Sequence, residues 1–256
     1  MTSAPEVVRR IEIAAQRETV FRYFTDSARF AAWWGEGSSV DPRPGGRVVI
    51  RYPNGERASG VFREIVPPAR VVFTFGGEGP SSPIPPGGST VTVTLEPSPR
   101  GTLLTLRHSD FPSPDAARHF EQGWRYQLSV FSRVVMAEQN GAAIAAVDGW
   151  FAAWNEGDPQ RRRTLLSESA AADVAFWDDY GALTGHEDLD AQIAATKMYM
   201  PGLRLERAGD PAFSHHHALV RWEARDAAGA VKGKGVNAIT FGPDGKIVRV
   251  VGFWGA

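Results

Sequence analysis

The sequence contains no cysteine in 256 residues, which excludes a disulfide framework and any thiolate-ligated metal. No window approaches the ~20 apolar residues of a membrane-spanning helix. The first stretch, MTSAPEVVRRIEIAAQ, lacks an apolar core of signal-peptide length, so a cytoplasmic location is expected. Neither charge is in excess: 28 Lys and Arg stand against 29 Asp and Glu, for a net charge of -1. With no basic stripe, neither nucleic acid nor an anionic membrane is expected as a partner. A Gly-rich phosphate loop and a Ser/His/Asp arrangement are also missing. GHEDL at 185–189 is not the zinc motif HExxH, since no second His follows. Abundance lies elsewhere. The 27 Gly and 18 Pro point to many turns and a strand-rich chain, and 8 Trp with 14 Phe are enough to wall pockets for flat or lipophilic ligands.

The pattern along the chain divides it in two. The first half reads as a strand (Val7 to Ala14), two short helices (Glu18 to Phe24 and Thr25 to Trp34), then five strands of period two between Arg47 and His108. PNGE, PPAR and EPSPRG break them. A long amphipathic helix opens at Ser113-Pro114 and carries Phe120, Trp124, Leu128, Phe131 and Val135 on one stripe, ending near Glu138. EQNGAA is the expected boundary, giving domains of residues 1–140 and 141–256. The second half predicts helices through Ile144–Trp154 and Arg161–Ser167, a strand over DVAFWDD, and a helix in GHEDLDAQIAATKMYM. Three or four long strands joined by DAAGA and GPDGK follow. RRR at 161–163 reads as a solvated helix face. Helices against one antiparallel sheet, twice over, define two α+β domains.

The segments VFRYFTDSARFAAWWG, YPNGERASGVFREIVPPARVVFTF, GTLLTLRHSDF and HFEQGWRYQL resemble the START-like, helix-grip superfamily, in particular proteins related to the activator of Hsp90 ATPase. The resemblance covers nearly all of residues 7 to 138. It implies a curved sheet wrapped around a long C-terminal helix and enclosing a cavity. WFAAWNEGD, DVAFWDDYGALTGHEDL and GKGVNAITFGPDGKIVRVVGFW are similar to the NTF2-like superfamily, close to SnoaL-like polyketide cyclases and ketosteroid isomerases. That likeness covers about residues 143 to 256 and implies a cone-shaped α+β barrel closed over a pocket. Cone-fold proteins often dimerise through the sheet, so a homodimer is expected.

Candidate site residues follow from phase. Val174, Phe176 and Asp178 share one face of a strand, so if the first two point into the cone the carboxylate does too. The other reading makes Asp178 a cap for the DDYG turn, although Asp179 suits that role better. The resemblance places the isomerases' proton-shuttling base at Asp178. It places a protonated Asp of theirs at Asn237 and a Tyr of theirs at Trp150. A base with an amide and an indole donor still meets the needs of enolate formation. Trp154, Phe176 and Trp222 read as core or pocket wall, and Phe253 with Trp254 as residues that close the cavity or form the dimer seam. In the first half Trp33 and Trp34 fall where the family's second helix guards the cavity mouth. Tyr52 is in phase with Val48 and Ile50. His108 is in phase with Leu104 and Leu106 and faces Trp124, either as a satisfied buried histidine or as a ligand contact. His215 and His217 share a face but lack a third ligand, so no metal is expected. No organic cofactor is expected either, because a base and donors suffice for enolisation.

The leading expectation is thus two apolar pockets for hydrophobic small molecules, the second with isomerase or cyclase chemistry. The rivals are a non-enzymatic lipophilic-ligand binder or stress-response regulator and, behind it, a chaperone-associated helper.

Overall fold

The computed structural model describes residues 4–80 and 82–255. The chain folds as two compact units, Met1–Met136 and Ala137–Ala256. In chain order the first unit holds β1 (Val7–Ile13), α1 (Arg17–Thr25), α2 (Ser27–Trp34), β2 (Ser39–Val40), β3 (Arg47–Arg51), β4 (Arg57–Val66), β5 (Arg70–Phe75), β6 (Ser89–Ser98) and β7 (Gly101–Ser109). These strands form one antiparallel sheet in the order β1-β7-β6-β5-β4-β3-β2. Alternation decides which face is buried: Val91, Val93 and Leu95 on β6, and Leu104, Leu106 and His108 on β7, are all enclosed. Asp26 caps α2 by accepting the Arg29 amide at 2.9 Å.

α3 (Pro114–Asn155) is a single helix of 42 residues. Its residues through Met136 belong to the first unit and those from Ala137 to the second. The expected end near Glu138 is not there. Asn140-Gly141 reads as a stop, but the following Ala142, Ala143, Ala145 and Ala146 are the strongest helix formers. Buried positions then continue at helical spacing through Ala143, Val147, Trp150 and Phe151. In the first unit Trp124, Leu128, Phe131 and Val135 form the stripe that meets the sheet.

The second unit continues with α4 (Pro159–Ser169), β8 (Ala170–Asp178), β9 (Gly181–Thr184), α5 (Gly185–Tyr199), β10 (Arg204–Arg207), β11 (Ala212–Ser214), β12 (His217–Arg225), β13 (Val231–Phe241) and β14 (Ile247–Trp254). Its sheet runs β10-β12-β13-β14-β8-β9, with β11 also on β12, and only the β14–β8 pair is parallel. Asp158 and Pro159 start α4 as cap and first residue. RRR is not a fully solvated face. Arg162 is buried and donates to Asp190 of α5 at 2.5 Å, while Arg163 reaches the other carboxylate oxygen at 3.0 Å. Burial pushes the Asp190 carboxyl up, but the bonds from Arg163 and Arg162 outweigh it and leave it below the usual carboxylate range. Among the described residues no helix is long and apolar enough to cross a membrane.

Phe131 is fully buried, with its ring 4.9 to 5.7 Å from those of Trp33, Phe24 and Tyr23. Phe131→Ala removes the partner of three rings. It is expected to cost about 3–5 kcal/mol, read as a lower urea midpoint of the full chain.

Candidate functional site

The site in the second unit is built by three neighbouring strands. On β13 Gly235, Asn237, Ile239 and Phe241 point inward in phase. Asn237 pairs with Gly252 of β14. Parallel pairing sets Val251 beside Trp177, so Gly252 falls next to Asp178. Gly252 lies between two polar side chains. A Cβ there would stand 3.3 Å from Asn237 Oδ1 and 3.3 Å from Asp178 Cβ. The missing side chain lets the Asn237 amide oxygen and the Asp178 Cβ approach the β14 backbone from either side.

Each polar group is held. Trp222 Nε1 donates to Asn237 Oδ1 at 3.2 Å. An indole nitrogen only donates, which fixes the amide so that its Nδ2 is the free donor. Gly235 makes this possible. It pairs with Trp222 on one side and Trp254 on the other, and a Cβ would come within 2.6 Å of the Trp222 ring. With nothing between them the two indoles meet edge to face at 4.7 Å. Asp178 Oδ1 accepts the Tyr180 and Gly181 amides at 2.9 and 3.2 Å, closing the turn into β9. Its Oδ2 accepts from Trp254 Nε1 at 3.4 Å. Asp178 therefore caps its turn and lines the cavity at once, and it is Asp178 rather than Asp179 whose side chain accepts these turn amides.

The opening has a volume of about 170 Å³. Trp150 and Trp154 of α3 wall it, their rings 5.9 and 5.7 Å from Phe176 on β8. Gln192 and Thr196, one turn apart on α5, and Leu203 and Leu205 complete the wall. Asn155 ties these parts together. Its side chain donates to the Leu205 carbonyl at 2.7 Å and accepts the Leu205 amide at 2.9 Å, while its own carbonyl accepts Lys197 Nζ at 2.7 Å. Tyr180, Met200 and Trp254 form the rim.

Asp178, Asn237, Trp150, Trp154, Phe176 and Trp222 all line this one cavity. Phe253 does not: it is 50% exposed, and Trp254 takes the lining place. The reason is phase, since Val250, Gly252 and Trp254 share the inner face and Phe253 falls between them. Asp178 is not at the bottom of the cavity either. It is half-buried at the rim side, bonded to exposed turn residues. Gln192, Thr196 and Met200 are not singled out by the sequence. The signal for the first two is their i,i+4 spacing on one face of α5.

The first unit differs. Trp33, Trp34, His108 and Trp124, candidates for packing or for ligand contact, are 0–4% exposed and buried in the first unit. Trp33 and Trp34 pack at 4.4 Å with their rings tilted, Trp34 meets Trp124 at 5.6 Å, and Trp33 Nε1 donates to the Tyr23 carbonyl at 3.1 Å. These four thus pack against one another and their neighbours. Trp124 Nε1 donates to His108 Nδ1 at 2.9 Å, and His108 Nε2 lies 2.7 Å from Ser89 Oγ. Ser89 in turn donates to the Phe75 carbonyl at 2.7 Å. The donor-only indole requires a neutral ring with its proton on Nε2. Tyr52, half-buried, lines an opening of about 620 Å³ between the β3–β4 turn, the 77–83 loop and α3, edged by Glu56, Arg57, His119 and Gln127. Burial pushes its phenol up. Among the described residues no group of three metal-ligating side chains gathers in either unit.

Residues 14–135 match the family model for activator of Hsp90 ATPase homolog 1-like protein, and residues 147–250 the model for the SnoaL-like domain. The chain is an AHSA1-like domain followed by a SnoaL-like domain, each α+β. Among solved structures, a candidate isomerase of the SnoaL-like family from Agrobacterium tumefaciens is 27% identical, over 45% of this chain and 99% of its own, at a TM-score of 0.43. CalU16 from Micromonospora echinospora is 26% identical, over 52% and 77%, at 0.42. The Aha1 dimer from Colwellia psychrerythraea is 21% identical, over 51% and 95%, at 0.45. No curated protein matches the chain.

Burial holds the His108 imidazole down to about 3 from its ordinary 6.5. The unfolded chain then binds a proton that the folded one refuses as pH falls below 6.5, so stability drops between pH 6.5 and 3 and is level above. Between pH 6.5 and 5 the urea-unfolding free energy is expected to fall more steeply than in His108→Gln, by up to about 1.4 kcal/mol per pH unit. Equal slopes would refute the buried neutral ring.

Proposed function

We propose that the SnoaL-like domain binds a small, flat, carbonyl-bearing hydrophobe and moves a proton on it, as an isomerase or cyclase would. Asp178 is the base. It takes a proton from the carbon beside the carbonyl, the electron pair moves onto the carbonyl oxygen, and return of the proton at a second carbon completes the shift. Asn237 Nδ2 and the Trp150 indole are the donors for the developing oxyanion. The observation that carries this reading is one cavity lined by both the Asp178 side chain and an Asn237 amide pinned by Trp222. Such chemistry needs only a base and donors.

The AHSA1-like domain is a binder in this reading, through the opening beside Tyr52, with no base-and-donor set of its own. A chaperone helper would need a large exposed apolar face. Among the described residues of that domain the exposed large hydrophobics are Val66 and Tyr126. A second reading of the SnoaL-like domain as a non-enzymatic binder is favoured by one observation, the use of Asp178 Oδ1 in its turn.

Conversion of cyclohex-3-en-1-one to its conjugated isomer, followed by ultraviolet absorbance, separates the two. Asp178→Asn is expected to lower the rate by about 10²–10⁴-fold and to leave the affinity for cyclohex-2-en-1-one within about threefold. A wild-type rate in Asp178→Asn excludes it as base. Tight binding without turnover by the wild type establishes the binder.

A further inference from the structure

The SnoaL-like cavity is small. Its volume of about 170 Å³ is close to the roughly 150 Å³ that encloses a benzene ring and below the ~300 Å³ at which drug-sized pockets begin. Yet its mouth is not polar. Three large side chains line the cavity and are also open to solvent: Tyr180 at 72%, Met200 at 53% and Trp254 at 38%. Exposed apolar surface continuous with a pocket marks a binding surface.

The rings make a path from inside to outside. Trp222, 3% exposed, stands on the inner wall. Trp254 meets it edge to face at 4.7 Å, and Tyr180 meets Trp254 edge to face at 5.2 Å. Exposure rises step by step along the series. Trp254 is held in line by its bond to Asp178, and Met200 adds an adaptable thioether to the rim. The carboxylate and the amide thus sit where a ring-sized head would be held, with an apolar collar leading outward.

We propose that the ligand is an amphiphile: a single-ring carbonyl head held in the cavity and an apolar chain laid over the collar of Trp254, Tyr180 and Met200. The assignment rests on the reading of the cavity as a carbonyl-ligand site and adds the chain. The Tyr180 ring and the Met200 thioether set chain-length preference, while Trp254 also donates to the Asp178 carboxylate.

Calorimetric titration of the full chain with cyclohex-2-en-1-one and its 4-butyl and 4-octyl derivatives tests this. A fully buried methylene contributes about fourfold in affinity, so a half-covered chain is expected to add about twofold per methylene. Tyr180→Ala and Met200→Ser flatten that dependence, and Tyr180→Phe keeps it. If the ring binds equally with every tail, or the dependence survives both variants, the collar assignment falls while the cavity reading stands. If none of the three compounds binds, the cavity reading itself fails. If both variants turn a dimer into a monomer in light scattering and leave the dependence untouched, the collar is a subunit surface and the proposal is wrong.

Discussion

One hydrogen bond fixes the polarity of the site: Trp222 donates to Asn237 Oδ1 and leaves the Nδ2 hydrogens as that side chain's free donors. At Gly252 the inner face of β14 presents backbone alone, and a Cβ there would crowd Asn237 Oδ1 and the Asp178 Cβ at 3.3 Å each. Gly235 does the complementary work one pair along: it lets Trp222 and Trp254 meet across β13, which orients the Asn237 amide and brings an indole donor to Asp178. Two glycines and two tryptophans thus convert a regular sheet into a hollow one with fixed polarity. The α3 and α5 side chains roof it, joined through Asn155.

The AHSA1-like domain shows the opposite use of aromatic residues. Its tryptophans and phenylalanines pack against each other, and the buried His108 imidazole is consumed in a chain from Trp124 through His108 and Ser89 to a backbone carbonyl. A neutral histidine with both nitrogens satisfied contributes to the packing of a core and has nothing left to offer a substrate. The polar edge of the opening beside Tyr52 lies outside this cluster. A cavity lined by rings and a core filled by rings are thus divided between the domains.

Much of this is legible in the residues. Alternation in VRWEA, VNAITF and DVAFWD places Trp222, Asn237, Phe176 and Asp178 on inward faces, because a strand has only two sides. Two features mislead. Asn140-Gly141 looks like a helix stop, but its neighbours are alanines and the buried stripe continues past it. Phe253 looks like a wall residue because Gly252 has no side chain to mark the phase. Counting from Val250 puts Trp254 inside instead. Of the rim only Trp254 is legible: Tyr180 lies in a turn and Met200 beyond the end of α5, and only the folded chain brings them to the same cavity. Phase turns His108 and Trp124 of the first domain inward, where both are buried, but phase does not say whether the inside is hollow.

The central claim is that Asn237, its Oδ1 taken by Trp222, presents its amide N–H to a ligand in the cavity it lines. Its side-chain amide resonance in a ¹⁵N–¹H correlation spectrum, assigned by Asn237→Asp and followed during titration with cyclohex-2-en-1-one, tests this most directly. The account predicts a saturable shift of that one side-chain pair. Saturable ligand binding that leaves the pair in place would contradict it.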